Sequence, residues 1–139
     1  MCLIDEVLDW TGASIRCRSA THRAADHPLR AHGRLSGACG IEYAAQAMAV
    51  HGALLAGPAD GLPRAGYLAS VRGVLIGTRR LDEVRADLVC IAKRIAGDQD
   101  TVVYDFVLCE QRQDAVETPR LLSGRASIVL HAPPRPGKP

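Results

Sequence analysis

The chain has 139 residues, 47% of them apolar, and its 17 basic and 15 acidic residues leave a formal net charge of +2. That is one globular domain with enough chain to bury roughly two-thirds of its unfolded surface. The even charge and the 4% aromatic content exclude the basic footprint and stacking surface that a nucleic-acid partner requires. Five cysteines (Cys2, Cys17, Cys39, Cys90, Cys109), odd in number and never spaced C-x-x-C, suggest neither a disulfide framework nor a zinc site and fit a reducing, cytoplasmic setting.

The opening segment, MCLIDEVLDW, carries acids where a leader would carry a charged start and an apolar core, so no signal peptide is expected. Gly12 offers a turn into a first strand over 15–21 (IRCRSAT), which alternates apolar and polar residues. A loop with three histidines follows: His22, His27 and His32. The stretch Gly37–Ala56, GACGIEYAAQAMAVHGALLA, is almost entirely apolar or small and reads as a long helix buried in protein. Glu42, Gln46, His51, two interior glycines and seven alanines make it a poor membrane span. Glu42 stands out, because a carboxylate in a buried helix must be paired, hydrogen-bonded or kept neutral.

Gly57, Pro58, Gly61 and Pro63 punctuate a loop, and β-type residues resume over 66–77, with a bulge expected at Gly73. Residues 83–96 alternate as a strand and end at the turn Gly97-Asp98-Gln99-Asp100. Strand 101–110 places Tyr104, Phe106 and Leu108 on one face. Strand 121–131 points Leu122, Ala126, Ile128 and Leu130 inward and Ser123, Arg125, Ser127 and His131 outward. The tail PPRPGKP contributes nothing to the fold, so a single domain over 1–132 with a mobile tail, 133–139, is predicted. A helix apolar all round needs wrapping, and a curved antiparallel sheet is the only other material. The fold class is α+β, a sheet folded around one central helix.

Leu3-Ile4-Asp5-Glu6-Val7, Glu42-Tyr43-Ala44-Ala45-Gln46-Ala47-Met48, Tyr67-Leu68-Ala69-Ser70-Val71 and Leu122-Ser123-Gly124-Arg125-Ala126 resemble segments of the hot-dog-fold β-hydroxyacyl-(acyl carrier protein) dehydratases, over Met1 to about Ala132. The similarity is nearest to the subgroup associated with aryl polyene pigment clusters, whose members include partner subunits of heteromeric dehydratases. The resemblance implies syn-elimination of water from a 3-hydroxyacyl thioester without metal or organic cofactor. A base removes the proton α to the thioester carbonyl, and an acid protonates the departing hydroxyl. Backbone N–H groups at the helix start polarise the carbonyl.

By resemblance Glu42 takes the acid's position. Gln46, one turn on and about 40° round the helix, would orient it, while Gly37 and Gly40 would let a thioester approach the backbone. The family's Gly-His-Phe-Pro-Gly segment is absent. His27, followed by Pro28 and 15 residues before Glu42, is the positional favourite for the base. His22, at the end of the first strand, is nearly as good; His32 would need residues deleted from the loop. A structural Glu42, paired with an arginine such as Arg72, is the plainer alternative. His51, about 180° from Glu42 on the helix, reads as a core or interface histidine, His131 as solvated, and Cys39 as a small packed side chain.

Three functions remain open: a dehydratase acting on acyl-carrier-protein-bound 3-hydroxyacyl chains, a non-catalytic hot-dog subunit that pairs with an active dehydratase, and an acyl thioesterase in which Glu42 activates water. A homodimer or heterodimer is implied by resemblance. Arg23, Arg30, Arg34, Arg79 and Arg80 are candidates for docking an acidic carrier.

Overall fold

The computed structural model describes residues 1–57, 66–112 and 119–130. The Pro58–Pro63 part of the loop after the helix, His131 and the proline-rich tail 133–139 lie outside the described residues.

Among the described residues six strands and one α-helix follow in chain order: β1 (Glu6–Trp10), β2 (Ser14–Ser19), α1 (Gly40–Ala56), β3 (Gly66–Ile76), β4 (Leu88–Gly97), β5 (Thr101–Glu110) and β6 (Arg120–Leu130). They form one antiparallel sheet in the order β1-β2-β4-β5-β6-β3, with β1 and β3 at its edges. This is the helix-on-curved-sheet arrangement expected. The β4–β5 hairpin turns where the sequence predicts it, at Asp98, whose Oδ1 accepts from the N–H groups of Asp100 and Thr101 at 2.7 and 2.9 Å. Gly73 has φ 59° within a register shift of β3 against β6, the bulge that glycine allows.

The differences are local. The opening segment itself forms a strand, β1. Residues 83–87 are not sheet, because Leu81–Glu83 makes a 3-10 turn with Leu81 fully buried. The helix begins at Gly40, preceded by a 3-10 turn at Gly37–Cys39 in which the Ser36 hydroxyl accepts from the Ala38 N–H. It ends at Gly57, whose φ of 67° and N–H bond to the Ala53 carbonyl close the last turn.

The core lies between the sheet and one face of α1. Gly40, Tyr43, Ala44, Ala47, Met48 and His51 are buried, a three-and-four spacing, against Ile15, Leu88, Cys90, Tyr104, Phe106, Leu108 and Leu122. The opposite face, with Glu42, Ala49, Gly52 and Ala53, is exposed. The helix is therefore not wrapped all round, and Glu42 is not the buried carboxylate the sequence suggests.

Gly37 and Gly40 serve this packing. A Cβ on Gly37 would run into the Thr78 carbonyl oxygen, and one on Gly40 would meet the Leu122 and Leu108 methyls at 2.8 and 2.9 Å. Gly37→Ala must push the helix start away from residues 78–79 and break the 2.9 Å bond from the Gly37 N–H to the Arg79 carbonyl. It is expected to cost about 3 kcal/mol, read as a lower urea midpoint. Gly40→Ala, which meets only side-chain tips, is expected to cost less.

Candidate active site

Tyr43 points into the core, beside the three-histidine loop. That loop is braced by turns: the His27 N–H bonds to the Ala24 carbonyl, and Ala31 and Arg34 exchange backbone bonds around His32-Gly33, both at positive φ, a two-residue hairpin turn. His32 is exposed at its tip.

His27 is 5% exposed. Its Nδ1 accepts from the Leu29 N–H at 3.1 Å, so the neutral ring carries its proton on Nε2. That N–H donates to the Tyr43 hydroxyl at 3.0 Å. The Tyr43 O–H is then free to donate to Thr21 Oγ1 at 2.8 Å, and the Thr21 O–H donates to the Leu3 carbonyl at 2.9 Å. Both ring nitrogens of His27 are engaged inside the chain.

His22 is fully buried. Its Nε2–H donates to the Val84 carbonyl at 2.9 Å, and Nδ1 is a buried acceptor without a partner. His51 is the core histidine its helix position predicts: Nε2–H donates to the Thr11 carbonyl at 2.8 Å and Nδ1 accepts from the Tyr104 hydroxyl at 2.7 Å.

Glu42 follows a different course. It is exposed and makes no ion pair or hydrogen bond with a described residue, Arg72 included. Gln46 does not orient it. Its Oε1 accepts from the Leu3 N–H at 2.6 Å and its Nε2 donates to the Met1 carbonyl at 3.0 Å, which staples the N-terminal segment across the helix. Ala38 and Glu42, one turn apart, share the exposed face.

The first N–H groups at the helix start have acceptors within the chain: Arg79 O for Gly37, Ser36 Oγ for Ala38, Ser36 O for Cys39. The Ala38 donor is capped by the Ser36 hydroxyl at 3.2 Å. It borders a cleft of about 270 Å³ between Ser36–Ala38 and Ile76–Arg79. Beyond Glu42 along the exposed helix face runs a second, larger cavity of about 620 Å³, lined by residues that include Ala45, Ala49, Gly52, Leu68 and Ile128.

Order along the helix is thus donor, carboxylate, apolar groove. The exposed Glu42 and the enclosed histidines do not meet within this chain. Tyr43 and Thr21, which hold His27, were missed by sequence reasoning; the available signal was a tyrosine hydroxyl inside an apolar helix, which requires a partner.

Of the arginines proposed for carrier docking, Arg23 pairs with Asp87, Arg30 with Asp82, and Arg80 with Asp82 and Glu83. Arg34 and Arg79 have no ion pair among the described residues. Cys17 and Cys90 are buried free thiols, and burial pushes Cys17 up to about 11 and Cys90 higher still, unlike a reactive cysteine. No group of three or more His, Cys, Asp or Glu that could hold a metal ion occurs among the described residues, and no helix among them is long and apolar enough to cross a membrane.

An antiparallel sheet curved over one long helix defines a hot-dog-fold protein, and solved structures agree. The dehydratase heterocomplex ApeI:P from Xenorhabdus doucetiae aligns with a TM-score of 0.77 at 17% identity, over 94% of this chain and 84% of that one. A thioesterase from Haemophilus influenzae (TM-score 0.60, 13% identity, 91% and 77% covered) and zebrafish thioesterase superfamily member 2 (0.62, 11%, 91% and 80%) share the fold. No curated protein matches the sequence. The model of the ApeP-like family, described as ApeP dehydratase, matches residues 1–125, and the chain belongs to that family.

Two predictions follow from the histidine pocket. Tyr43→Phe leaves the His27 N–H without its acceptor and is expected to cost about 1–3 kcal/mol, measured by urea unfolding. Both histidines are held below the ordinary imidazole value of 6.5, His22 by burial with Arg23 adding to it and His27 by burial with Arg30 adding to it. The folded state then resists protonation while the unfolded chain accepts it, so their contribution is complete above about pH 6.5 and is lost as pH falls below it. Wild type should lose urea midpoint between about pH 7.5 and about pH 5.5, and His27→Gln should lose less.

Proposed function

We propose that this chain is one subunit of a 3-hydroxyacyl-thioester dehydratase built from two different hot-dog chains. It contributes Glu42, the donor at the helix start and the acyl groove; the second chain contributes the base. One observation carries this reading: both ring nitrogens of His27 are consumed within the fold and His22 is sealed, whereas Glu42 stands free on the open helix face.

The arrangement fits the chemistry in sequence. A thioester carbonyl beside Ala38 would exchange the Ser36 hydroxyl for its own oxygen on the Ala38 N–H, lowering the energy of the enolate that forms when the α proton leaves. Glu42, one turn along, would be placed to protonate the hydroxyl on C3. The C3–O bond then breaks, water departs, the electron pair of the former C2–H bond becomes the C2–C3 double bond, and the product is the trans-2-enoyl thioester. The acyl chain beyond C3 would lie over Ala45 and Ala49. Arg34, just before the helix start in sequence, and Arg79, whose carbonyl holds the Gly37 N–H, have no ion pair among the described residues and would meet an acidic acyl carrier protein.

The edge strand β3 supports a partner. Tyr67, Leu75 and Ile76 on it are 49%, 71% and 53% exposed, and such an edge is normally covered.

The test is turnover of a 3-hydroxyacyl-pantetheine thioester, following enoyl formation and free thiol separately. The chain alone is expected to be inactive. Mixed with a hot-dog chain bearing a Gly-His-Phe-Pro segment, wild type and His27→Gln should form enoyl product at similar rates, while Glu42→Gln should lose roughly a hundredfold or more. Turnover by the isolated chain that His27→Gln abolishes would contradict the proposal, and thiol release without enoyl product would point to hydrolysis.

A further inference from the structure

The groove beyond Glu42 carries a charge in its lining. Among the described residues that line it, apolar groups dominate, and Arg94 is the single charged side chain. Arg94 stands opposite Tyr104 in the β4–β5 pairing, and Tyr104 bonds to His51 on α1, so the arginine sits level with the last third of the helix. Its side chain folds over Gly97, where a Cβ would come within 2.7 Å of Nη2.

Arg94 is half-buried and has no carboxylate partner among the described residues, whereas Arg16, Arg18, Arg23, Arg30, Arg80, Arg112 and Arg125 all have one. The Tyr104 hydroxyl, which donates to His51, makes no hydrogen bond to the Arg94 guanidinium among the described residues. A guanidinium in the lining of an apolar groove, with a fork of donors and no side-chain acceptor among the described residues, matches a planar anion.

Distance and space agree. Glu42 and Gly52 are ten residues apart, about 15 Å along the helix axis, the reach of a medium-length acyl chain. Between them the exposed face carries Ala45, Ala49 and Gly52, and a Cβ built on Gly52 meets nothing within 4 Å. The groove is open at that point.

We infer that this groove selects acyl chains of medium length whose far end carries a carboxylate, with Arg94 as the group that reads the terminus and Gly52 as the residue that leaves room for the chain to reach it. This rests on the acyl-thioester reading above and adds the class of chain.

Binding of two probes to the full chain separates the two ideas: dodecanoyl-pantetheine, and the same thioester carrying a carboxylate on its last carbon, titrated by calorimetry. Wild type is expected to hold the carboxylate-ended probe about tenfold more tightly. Arg94→Gln should erase that preference; Gly52→Leu, which fills open space and should fold normally, should weaken both. Equal binding of the two probes by wild type, with Gly52→Leu still harmful, overturns the carboxylate proposal and leaves the acyl groove standing. A preference that survives in Arg94→Gln overturns the role of that residue. Failure of both probes to bind, or indifference to Gly52→Leu, overturns the groove and the terminus together.

Discussion

Glu42 and Tyr43 are consecutive on one helix, so their side chains leave it about 100° apart. The arrangement of the candidate site follows from that divergence. With Tyr43 turned into the core, its hydroxyl must find partners, and it finds His27 on one side and Thr21 on the other. Glu42 is carried outward by the same geometry, onto the face that the sheet leaves uncovered. A histidine gathered by Tyr43 and a carboxylate next to it in sequence therefore belong to different compartments of the molecule.

The distribution of polar partners reinforces this separation. Buried groups are satisfied almost throughout: Ser19 and Thr21 meet the Leu3 carbonyl, His51 joins α1 to the Thr11 carbonyl and to Tyr104, and Gln46 closes over the N-terminal segment. The Nδ1 atom of His22 is the exception among the described side chains. The face that carries Glu42 has small side chains instead of partners, and small side chains leave a groove. What this face withholds from the core is Glu42 and the Ala38 N–H, the groups that the proposed subunit would use.

Much of this was legible in the sequence, for physical reasons that also mark where legibility ended. Strand β5 alternates with large residues on its buried face, so its period is unmistakable, and the Asp98 turn is fixed by local chemistry. The helix was visible as well, but its open face was not. Ala45, Ala49, Gly52 and Ala53 count as apolar while carrying almost no side chain, so a stripe of them reads as buried core when it is the floor of a groove. Gln46 sits on the right face to reach Glu42, yet the Leu3 N–H and the Met1 carbonyl, more than forty residues away, claim it. Spacing singled out His27 as the positional favourite for the base; its engagement depends on the Leu29 N–H and the Tyr43 hydroxyl, contacts that only the folded loop creates.

The central claim is that the His27 ring is consumed by the fold, and imidazole ¹⁵N NMR on the full chain tests it most directly. The account predicts that His27 remains the Nε2–H tautomer, is protonated only below the ordinary imidazole value, and is unmoved by an acyl-pantetheine thioester. A His27 that titrates normally and whose ring signals shift when the thioester binds would contradict it.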